Sequence, residues 1–289
     1  WYRANMQFAE LAEIKGDTEQ KDLAKRRGEE IKDLIDQYGW DDDGGYYLYA
    51  YSDDLIKIGA YNNEEGKIFL NPQLWAVFSG ISKGNKEIIA MDAVEKYLSS
   101  EIGTLISYPP YTKYQAHIGS MSEKPAGVHE NGSVYLHTMA WKIAVDCMLK
   151  RPDKVEDDLK KILPFHNPIV AGRAEPYVVC NSYFGKQTGY RYGTPGQSWR
   201  TASGQWLLKA IVNYVFGLMP TLDGLSVDPC LPSNWNNCRI IKMFRTACYD
   251  ISIERSDDDS GVYVDGKKHH QSLLPYEAYK KYSVLVKIM

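Results

Sequence analysis

GVHENGSVYLHTMAWKIAVDCMLKR, residues 127–151, is the stretch that decides the fold class of this chain. A polar loop containing glycine leads into apolar residues at helical spacing, which predicts a helix over residues 134–150. Further helices are predicted over residues 1–38, as an αα-hairpin with Asp17 as a cap, and over 72–78, 88–98, 153–163, 175–183 and 198–216. Helix pairs joined by irregular loops favour an α/α toroid.

The hydrophobic period changes after Gly217 from helical spacing to an alternation of about two residues. Strands are predicted over residues 225–228, 239–244, 247–254, 262–265 and 282–288, with a short strand-like segment over 46–51. The acidic run Asp257–Asp259 is predicted to be a hairpin turn. We therefore divide the chain into residues 1–218, a helical barrel portion, and residues 219–289, a small β-sandwich.

Composition excludes several classes of protein. The 289 residues are 44% hydrophobic and 25% charged, which is typical of a soluble folded protein, and their net charge of -3 argues against a nucleic-acid partner. The apolar runs are too short to span a membrane. Five scattered cysteines lack zinc-binding spacing, so we expect reduced thiols, no metal and a cytoplasmic protein. The start lacks an initiator Met and a signal peptide, and is typical of mid-protein sequence.

A first candidate site lies at the junction of the loop and the helix in residues 127–151. His129, Glu130 and Asn131 precede the helix, and His137 falls in its first turns, so a carboxylate and an imidazole can point into one cavity. The alternative is that Glu130 or Asn131 caps the helix and His137 is a core histidine. The residues alone favour that alternative.

Two further segments offer polar groups near predicted helix starts. In residues 196–206 the candidates are hydroxyl and backbone donors suited to an oxyanion, at Ser198, Arg200, Thr201 and Ser203. The alternative there is an ordinary Ser/Thr helix cap with Trp199 and Trp206 in the core. In the third segment Glu175 and Asn181 can share a pocket rim, or Glu175 and Pro176 can simply start a helix. Motifs typical of serine hydrolases, P-loop proteins, Rossmann enzymes and zinc proteases are missing from the sequence.

Five blocks in order resemble glycoside hydrolase family 94, the cellobiose and chitobiose phosphorylase family. They are GKIFLNPQLWAVFSG (66–80), residues 127–151, AEPYVVCNSYFG (174–185), SWRTASGQW (198–206) and DGLSVDPCLPSNW (223–235). The resemblance implies the C-terminal part of an (α/α)6 barrel followed by a jelly-roll-like β domain. It also implies reversible phosphorolysis of a β-linked disaccharide or oligosaccharide, with inversion to an α-sugar 1-phosphate.

The resemblance also implies roles for individual residues. His137, Thr201 and Ala202 are the implied phosphate contacts, with Ala202 standing where the family has glycine. Glu130 and Asn181 are the implied sugar contacts. The block of residues 66–80, with Gln73 and Trp75, is expected to be largely structural, and Lys124 is expected to face solvent.

An inverting phosphorylase needs one carboxylic acid to protonate the leaving oxygen, while phosphate attacks from the opposite face. In the family this acid is an Asp in a motif that these residues do not contain, so we expect it upstream of Trp1 and expect the chain alone to be inactive. Inorganic phosphate is the co-substrate, and no cofactor is implied. A homodimer and the missing N-terminal portion are the implied protein partners. The alternatives are a water-using toroid glycosidase and a non-catalytic carbohydrate-binding fragment.

Overall fold

A computed structural model describes residues 1–257 and 259–289. The chain divides into two compact units, residues 1–139 with 161–204 and residues 140–160 with 205–289. Asp258 is not among the described residues, so the hairpin turn predicted there is not tested. The predicted domain boundary near residue 219 also stays a prediction.

Helices occupy much of the chain up to residue 215. The α-helices are α1 (Tyr2–Ile14), α2 (Thr18–Tyr38), α3 (Leu70–Ser79), α4 (Lys86–Leu98), α5 (Leu136–Met148), α6 (Pro152–Ile162) and α7 (Ser203–Ala210). A π-helical turn, Ile211–Val215, continues α7, and short 3₁₀ helices lie at Gly119–Met121 and Lys186–Arg191. No helix of the described residues has the length and apolar character needed to cross a membrane.

Short strands lie between the helices, and the longer strands follow the last helix. They are β1 (Trp40–Asp41), β2 (Tyr46–Tyr47), β3 (Ala50–Tyr51), β4 (Lys57–Ile58), β5 (Ile68–Phe69), β6 (Ser99–Ser100), β7 (Gly103–Thr104), β8 (Ser107–Tyr108), β9 (Val134–Tyr135), β10 (Ser182–Tyr183), β11 (Pro195–Gly196), β12 (Leu218–Pro220), β13 (Leu225–Val227), β14 (Asn237–Phe244), β15 (Ala247–Arg255), β16 (Gly261–Val264), β17 (Lys267–His269), β18 (Leu273–Leu274) and β19 (Lys281–Ile288). The change from helix to strand after residue 217 is therefore confirmed.

The predicted hairpin at the start of the chain is confirmed by α1 and α2. The Asp17 carboxylate accepts a hydrogen bond from the Gln20 backbone N–H at 3.1 Å, which satisfies one of the free donors at the start of α2. Ala9, Ala12 and Ala24 are buried on these helices. Small side chains there allow the two helices to approach closely.

The longest strands form a five-stranded sheet in the order β14-β15-β19-β16-β17. Its centre contains a parallel pair, β15 and β19, with Ile251 opposite Val284. Alternate residues of β15 are buried, as expected of a sheet with one face in the core. The rings of Tyr249 and Tyr282 stack there with centroids 5.1 Å apart.

A buried charge cluster fixes α5 against α6 within the second unit. The ammonium group of Lys142 donates to Asp146 at 2.8 Å and to Asp158 at 2.7 Å, and all three side chains are at most 3% exposed. Charges so deeply buried are stable only as a paired set. The cluster therefore holds the part of α5 from Lys142 onward against α6.

Two predicted helices differ from the structure. Residues 175–183 do not form a helix. A turn at Pro176 and Tyr177, in which the Val178 N–H donates to the Glu175 carbonyl at 3.1 Å, is followed by irregular chain and then by β10, which pairs with β9 and β11. The two valines of the segment, Val178 and Val179, are β-branched and favour extended backbone. The helix predicted over 198–216 begins only at Ser203, since Thr201 forms a turn ahead of it.

Candidate functional site

A three-stranded antiparallel sheet in the first unit joins the three candidate segments. Strand β10 lies between β9 and β11, with Ser182 opposite both Tyr135 and Gly196. The Leu136 N–H donates to the Asn181 carbonyl at 2.9 Å, and the Asn181 N–H donates to the Gly196 carbonyl at 3.2 Å. Segments far apart in sequence therefore meet at Asn181.

Glu130 lies at the tip of a tight turn. The Asn131 N–H donates to the Val128 carbonyl at 3.1 Å, and the Gly127 N–H donates to the Asn131 carbonyl at 2.8 Å. His129 has a φ of 50°, the left-handed backbone that a turn with this geometry requires. The turn places His129 and Glu130 side by side in the chain, with the His129 ring 6.0 Å from that of Phe184.

Asn131 anchors this turn to the rest of the unit. Its buried side chain accepts from the Tyr111 N–H at 2.7 Å, and it donates to the Tyr111 carbonyl at 2.9 Å and the Lys124 carbonyl at 2.7 Å. Strand β9 separates Asn131 from α5, so this side chain is an anchor of the loop and does not cap the helix. The alternative interpretation of Asn131 is wrong.

The side chains of Lys124, Glu130, Tyr135 and Asn181 form a continuous chain of hydrogen bonds. Lys124 Nζ forms an ion pair with Glu130 Oε2. The Tyr135 hydroxyl donates to Glu130 Oε1 at 3.4 Å and accepts from Asn181 Nδ2 at 3.1 Å. The structure therefore brings together the two predicted sugar contacts, Glu130 and Asn181, through a tyrosine that sequence reasoning missed.

Lys124 is partly exposed to solvent and is also paired with Glu130. Its side chain is 36% exposed, and its ammonium group is directed to Glu130, six positions along the chain. The turn around Glu130 brings its carboxylate to the Lys124 ammonium group, and Asn131 holds the Lys124 backbone by donating to its carbonyl at 2.7 Å. The sequence shows that Lys124 and Glu130 lie close together along the chain. It does not show the turn that brings their side chains into contact.

The electrostatics of Glu130 follow from this pairing. Burial alone would raise the pKa of Glu130, because a half-buried carboxylate loses hydration. The hydrogen bond from Lys124, a backbone hydrogen bond and the charges of Lys124 and His129 outweigh burial, so the pKa is lowered overall. Glu130 is therefore an ionised group that only accepts hydrogen bonds at neutral pH.

His137 is the second residue of α5, in the first turn as predicted, and is half-buried. Burial lowers the pKa of His137, since the charged imidazolium is poorly solvated there. A bound anion would act in the opposite direction. The environment thus suits a neutral imidazole that becomes charged, or donates from N–H, when an anion lies beside it.

Thr201 and Ala202 lie in the turn before α7. The Thr201 hydroxyl accepts from the Ser203 N–H at 3.0 Å and lies 2.5 Å from the Ser203 hydroxyl oxygen. Ala202 is not one of the described residues with positive φ, so its backbone does not require the glycine of the family pattern. Trp199 is 71% exposed, so the part of the alternative that placed it in the core is wrong. The bond from the Ser203 N–H to the Thr201 hydroxyl is a Ser/Thr contact at a helix start, as the other part of the alternative predicted.

The second and third candidate segments also touch. The Ser198 hydroxyl donates to Glu175 Oε1 at 3.2 Å, close to where the rings of Tyr177 and Trp199 lie 6.3 Å apart. Glu175 therefore contributes to the loop that precedes α7, although the helix predicted to start at Glu175 is not formed. Its role as a rim residue stays a prediction.

Gln73 has the structural role expected of its block. Its buried amide accepts from the Tyr47 N–H at 2.8 Å and donates to the carbonyls of Tyr47 at 2.8 Å and Phe69 at 3.0 Å. These bonds join β2 to the start of α3. All three partners of the Gln73 amide are backbone groups, which is the structural role expected of it, whereas Trp75 in the same block is 41% exposed.

A separate polar cavity of about 350 Å³ also lies in the first unit. Its walls include Glu101, Tyr108, Lys186 and Tyr192, and the Tyr192 hydroxyl donates to Glu101 at 3.2 Å. None of the predicted site residues lines it. Among residues 1–257 and 259–289, no group of three or more His, Cys, Asp or Glu side chains is arranged to hold a metal ion.

The sequence of this chain matches one protein family and several characterised proteins. Residues 1–217 match the family model described as the glycosyl hydrolase 94 superfamily, catalytic domain. Solabiose phosphorylase of Paenibacillus borealis is 34% identical over 251 residues, which cover 85% of this chain and 32% of that protein. The 3-O-β-D-glucopyranosyl-β-D-glucuronide phosphorylase of the same organism is 32% identical over 279 residues, covering 94% of this chain and 36% of that protein.

A third relative and two solved structures are also similar to this chain. N,N'-diacetylchitobiose phosphorylase of Vibrio proteolyticus is 29% identical over 88% of this chain and 32% of that protein. The chain thus spans about a third of the length of these relatives. Two solved structures share its fold. A sialidase matches 82% of this chain and 21% of that one with a TM-score of 0.57 and 13% identity. A GH78 family rhamnosidase of Bacillus sp. GL1 matches 100% of this chain and 26% of that one with a TM-score of 0.53 and 12% identity.

Proposed function

Since this chain belongs to the glycosyl hydrolase 94 superfamily, we propose that the protein is an inverting glycoside phosphorylase. It cleaves a β-linked disaccharide or oligosaccharide with inorganic phosphate and releases an α-sugar 1-phosphate, reversibly. The observation that most supports this is the small sheet β9-β10-β11, which joins an ionised carboxylate, an amide and a loop rich in hydroxyl donors. The names of three relatives, all phosphorylases, agree with it.

The proposed roles follow the chemistry of each group. Glu130 and Asn181 bind sugar hydroxyls, because an ionised carboxylate and an amide suit neutral polyols. His137, the Thr201 hydroxyl and the Ala202 N–H bind phosphate, with the dipole of a helix start favouring the anion. These donors lie in the first unit, at or just before the starts of α5 and α7.

Phosphate is already anionic, so it can attack the anomeric carbon without a general base. One carboxylic acid must protonate the leaving oxygen. We propose that this acid is an Asp in the portion of the protein beyond these 289 residues. The proposed reaction uses phosphate as a co-substrate and needs no cofactor.

The finer architecture belongs to the same proposal. The helices up to residue 218 would form the C-terminal part of an (α/α)6 barrel, and residues 219–289 a β-sandwich beside it. The whole protein would be a cytoplasmic homodimer. The share of the relatives that this chain covers, about a third, supports a larger native protein.

The decisive experiment measures phosphate release by the natural full-length protein. The donors are α-glucose 1-phosphate and N-acetyl-α-glucosamine 1-phosphate, each with a panel of sugar acceptors. We expect release with one donor, dependent on the acceptor. In the reverse direction, the protein is given a disaccharide with and without phosphate. Cleavage of the disaccharide at the same rate without phosphate would support the glycosidase alternative and overturn the proposal.

A further inference from the structure

The hydroxyl of Tyr135 lies between two groups that are proposed to bind sugar. Its oxygen is 3.4 Å from Glu130 Oε1 and 3.1 Å from Asn181 Nδ2. Tyr135 and Asn181 are also fixed at backbone level, because Tyr135 pairs with Ser182 across the β9–β10 ladder. Tyr135 and Asn181 are therefore held at the β9–β10 pairing, and Glu130 lies on the turn just before β9.

The direction of the hydrogen bonds follows from charge. Lys124 keeps Glu130 ionised, and an ionised carboxylate has no proton to give. Tyr135 has a single O–H proton, so it must donate that proton to Glu130 and offer its lone pairs to Asn181. Asn181 must then turn its NH₂ group, not its carbonyl oxygen, toward Tyr135.

This constraint determines what the rest of the Asn181 amide presents. With Nδ2 on Tyr135, Oδ1 is the atom left for another contact. Asn181 Oδ1 is buried, and no described residue donates a hydrogen bond to it. A buried carbonyl oxygen is stabilised by a donor, so the amide is prepared for a ligand group that carries a proton.

We propose that Tyr135 is a positioning residue that fixes the Asn181 amide so that Oδ1 accepts a hydrogen bond from a sugar hydroxyl or amide N–H. The inference rests on the proposed function and deepens it. Phosphate at neutral pH is an anion with at most two protons on its four oxygens, so it presents mostly acceptors to Oδ1, whereas every sugar hydroxyl can donate. Asn181 therefore favours a contact with the sugar over a contact with the phosphate. With Oδ1 of Asn181 facing the sugar, the site should favour a sugar hydroxyl over a substituent at the same position that cannot donate a hydrogen bond.

The test uses the natural full-length protein and the sugar donor that the wild type accepts. Substrates carrying fluorine in place of one ring hydroxyl are compared with the parent sugar, position by position. For wild type we expect one position at which fluorine lowers kcat/KM by roughly tenfold or more, the loss expected when a buried acceptor is left unpaired. In Tyr135→Phe the amide is free to rotate, so this discrimination should fall to about twofold.

A double-mutant cycle separates positioning from a general structural effect. Tyr135→Phe should raise the KM for sugar and leave the KM for phosphate unchanged. Its effect should be clearly smaller in an Asn181→Ala background, where only the bond from Tyr135 to Glu130 remains to be lost. Tyr192→Phe is the matched control, because it removes a tyrosine–carboxylate bond to Glu101 elsewhere in the same unit. The control should keep wild-type discrimination.

The outcomes are distinguishable. An active wild type whose discrimination survives Tyr135→Phe overturns the inference and leaves the proposed function intact. Equal effects of Tyr135→Phe in the wild-type and Asn181→Ala backgrounds also overturn it, since the tyrosine would then act independently of the amide. A wild type that releases no phosphate from any donor overturns the proposed function and the inference with it.

Discussion

His137 lies half-buried in the first turn of α5, where burial lowers the pKa of its imidazole. If this ring donates to phosphate, its loss removes a charge-assisted hydrogen bond from one substrate only. We expect His137→Ala to raise the KM for phosphate by about tenfold or more and to leave the KM for sugar within about twofold. Initial rates with each substrate varied in turn measure both constants.

The control for His137→Ala is His117→Ala, which removes an exposed imidazole from the loop before the Gly119–Met121 helix. It should leave both constants near the wild-type values. Equal increases in the two KM values for His137→Ala would contradict a phosphate contact and would support the core-histidine interpretation.

Lys124 contributes to the lowered pKa of Glu130, and this gives a prediction with a definite sign. The lowered pKa of Glu130 means that the carboxylate stays ionised, and able to accept from sugar, as the pH falls. Lys124→Met removes the stabilising charge, so the pKa of Glu130 rises and the acid limb of kcat/KM for sugar moves to higher pH. The pH profile of kcat/KM measures this shift directly.

The comparison variant is Lys113→Met, which removes an exposed lysine earlier in the same long loop. Its pH profile should match the wild type. A Lys124→Met profile with an unchanged acid limb would mean that Glu130 ionisation does not govern sugar use.

Single elements show where sequence reasoning succeeds and where it does not. The amphipathic segments that became α4 and α6 were predicted within two residues at each end, because each has a strong helical period of its own. Residues 175–183 had only a helix-start pattern, and pairing of Ser182 with Tyr135 and Gly196 overrode it. Local pattern fixes an element only when distant partners do not compete for its backbone.

The same limit applies to the site. Glu130 and Asn181 were identified from their motifs, but the Tyr135 hydroxyl that links them is defined by contacts across 46 positions of sequence. The Lys124 contact depends on a turn in which His129 takes the left-handed conformation, which no local pattern required. Which groups are present was predictable, whereas the directions of their hydrogen bonds were not.

The loop after α7 depends on one glycine. Gly217 has a φ of +67°, and a Cβ there would lie 2.1 Å from the Asp228 backbone carbon, which no side-chain movement relieves. We expect Gly217→Ala to lower the free energy of unfolding by about 3 kcal/mol or more, from backbone strain and displacement of the β12–β13 ladder. Urea denaturation measures the loss.

Gly204→Ala provides the matched glycine substitution. A Cβ at Gly204 meets nothing within 4 Å, and the residue is helical, so alanine should be neutral or stabilise by up to about 1 kcal/mol. Similar destabilisation by both substitutions would show that the close approach at Asp228 is not the cause.

At the scale of the whole molecule, the groups proposed for phosphate and sugar lie in one compact unit, residues 1–139 with 161–204. The chain covers about a third of its phosphorylase relatives. Under the proposed function, recognition and chemistry are supplied by different parts of the protein. Groups that bind phosphate can be present in these residues while the carboxylic acid that completes the reaction is supplied by another part of the protein.

The 289 residues expressed alone should therefore bind inorganic phosphate without catalysing phosphorolysis. Isothermal titration calorimetry measures the binding, and His137→Ala in the same polypeptide should weaken it, because one donor to the anion is lost. Phosphate release from a sugar 1-phosphate should require the full-length protein. Turnover by the 289 residues would contradict this division, because inversion needs an acid at the leaving oxygen. The acid would then be one of their own carboxyl groups.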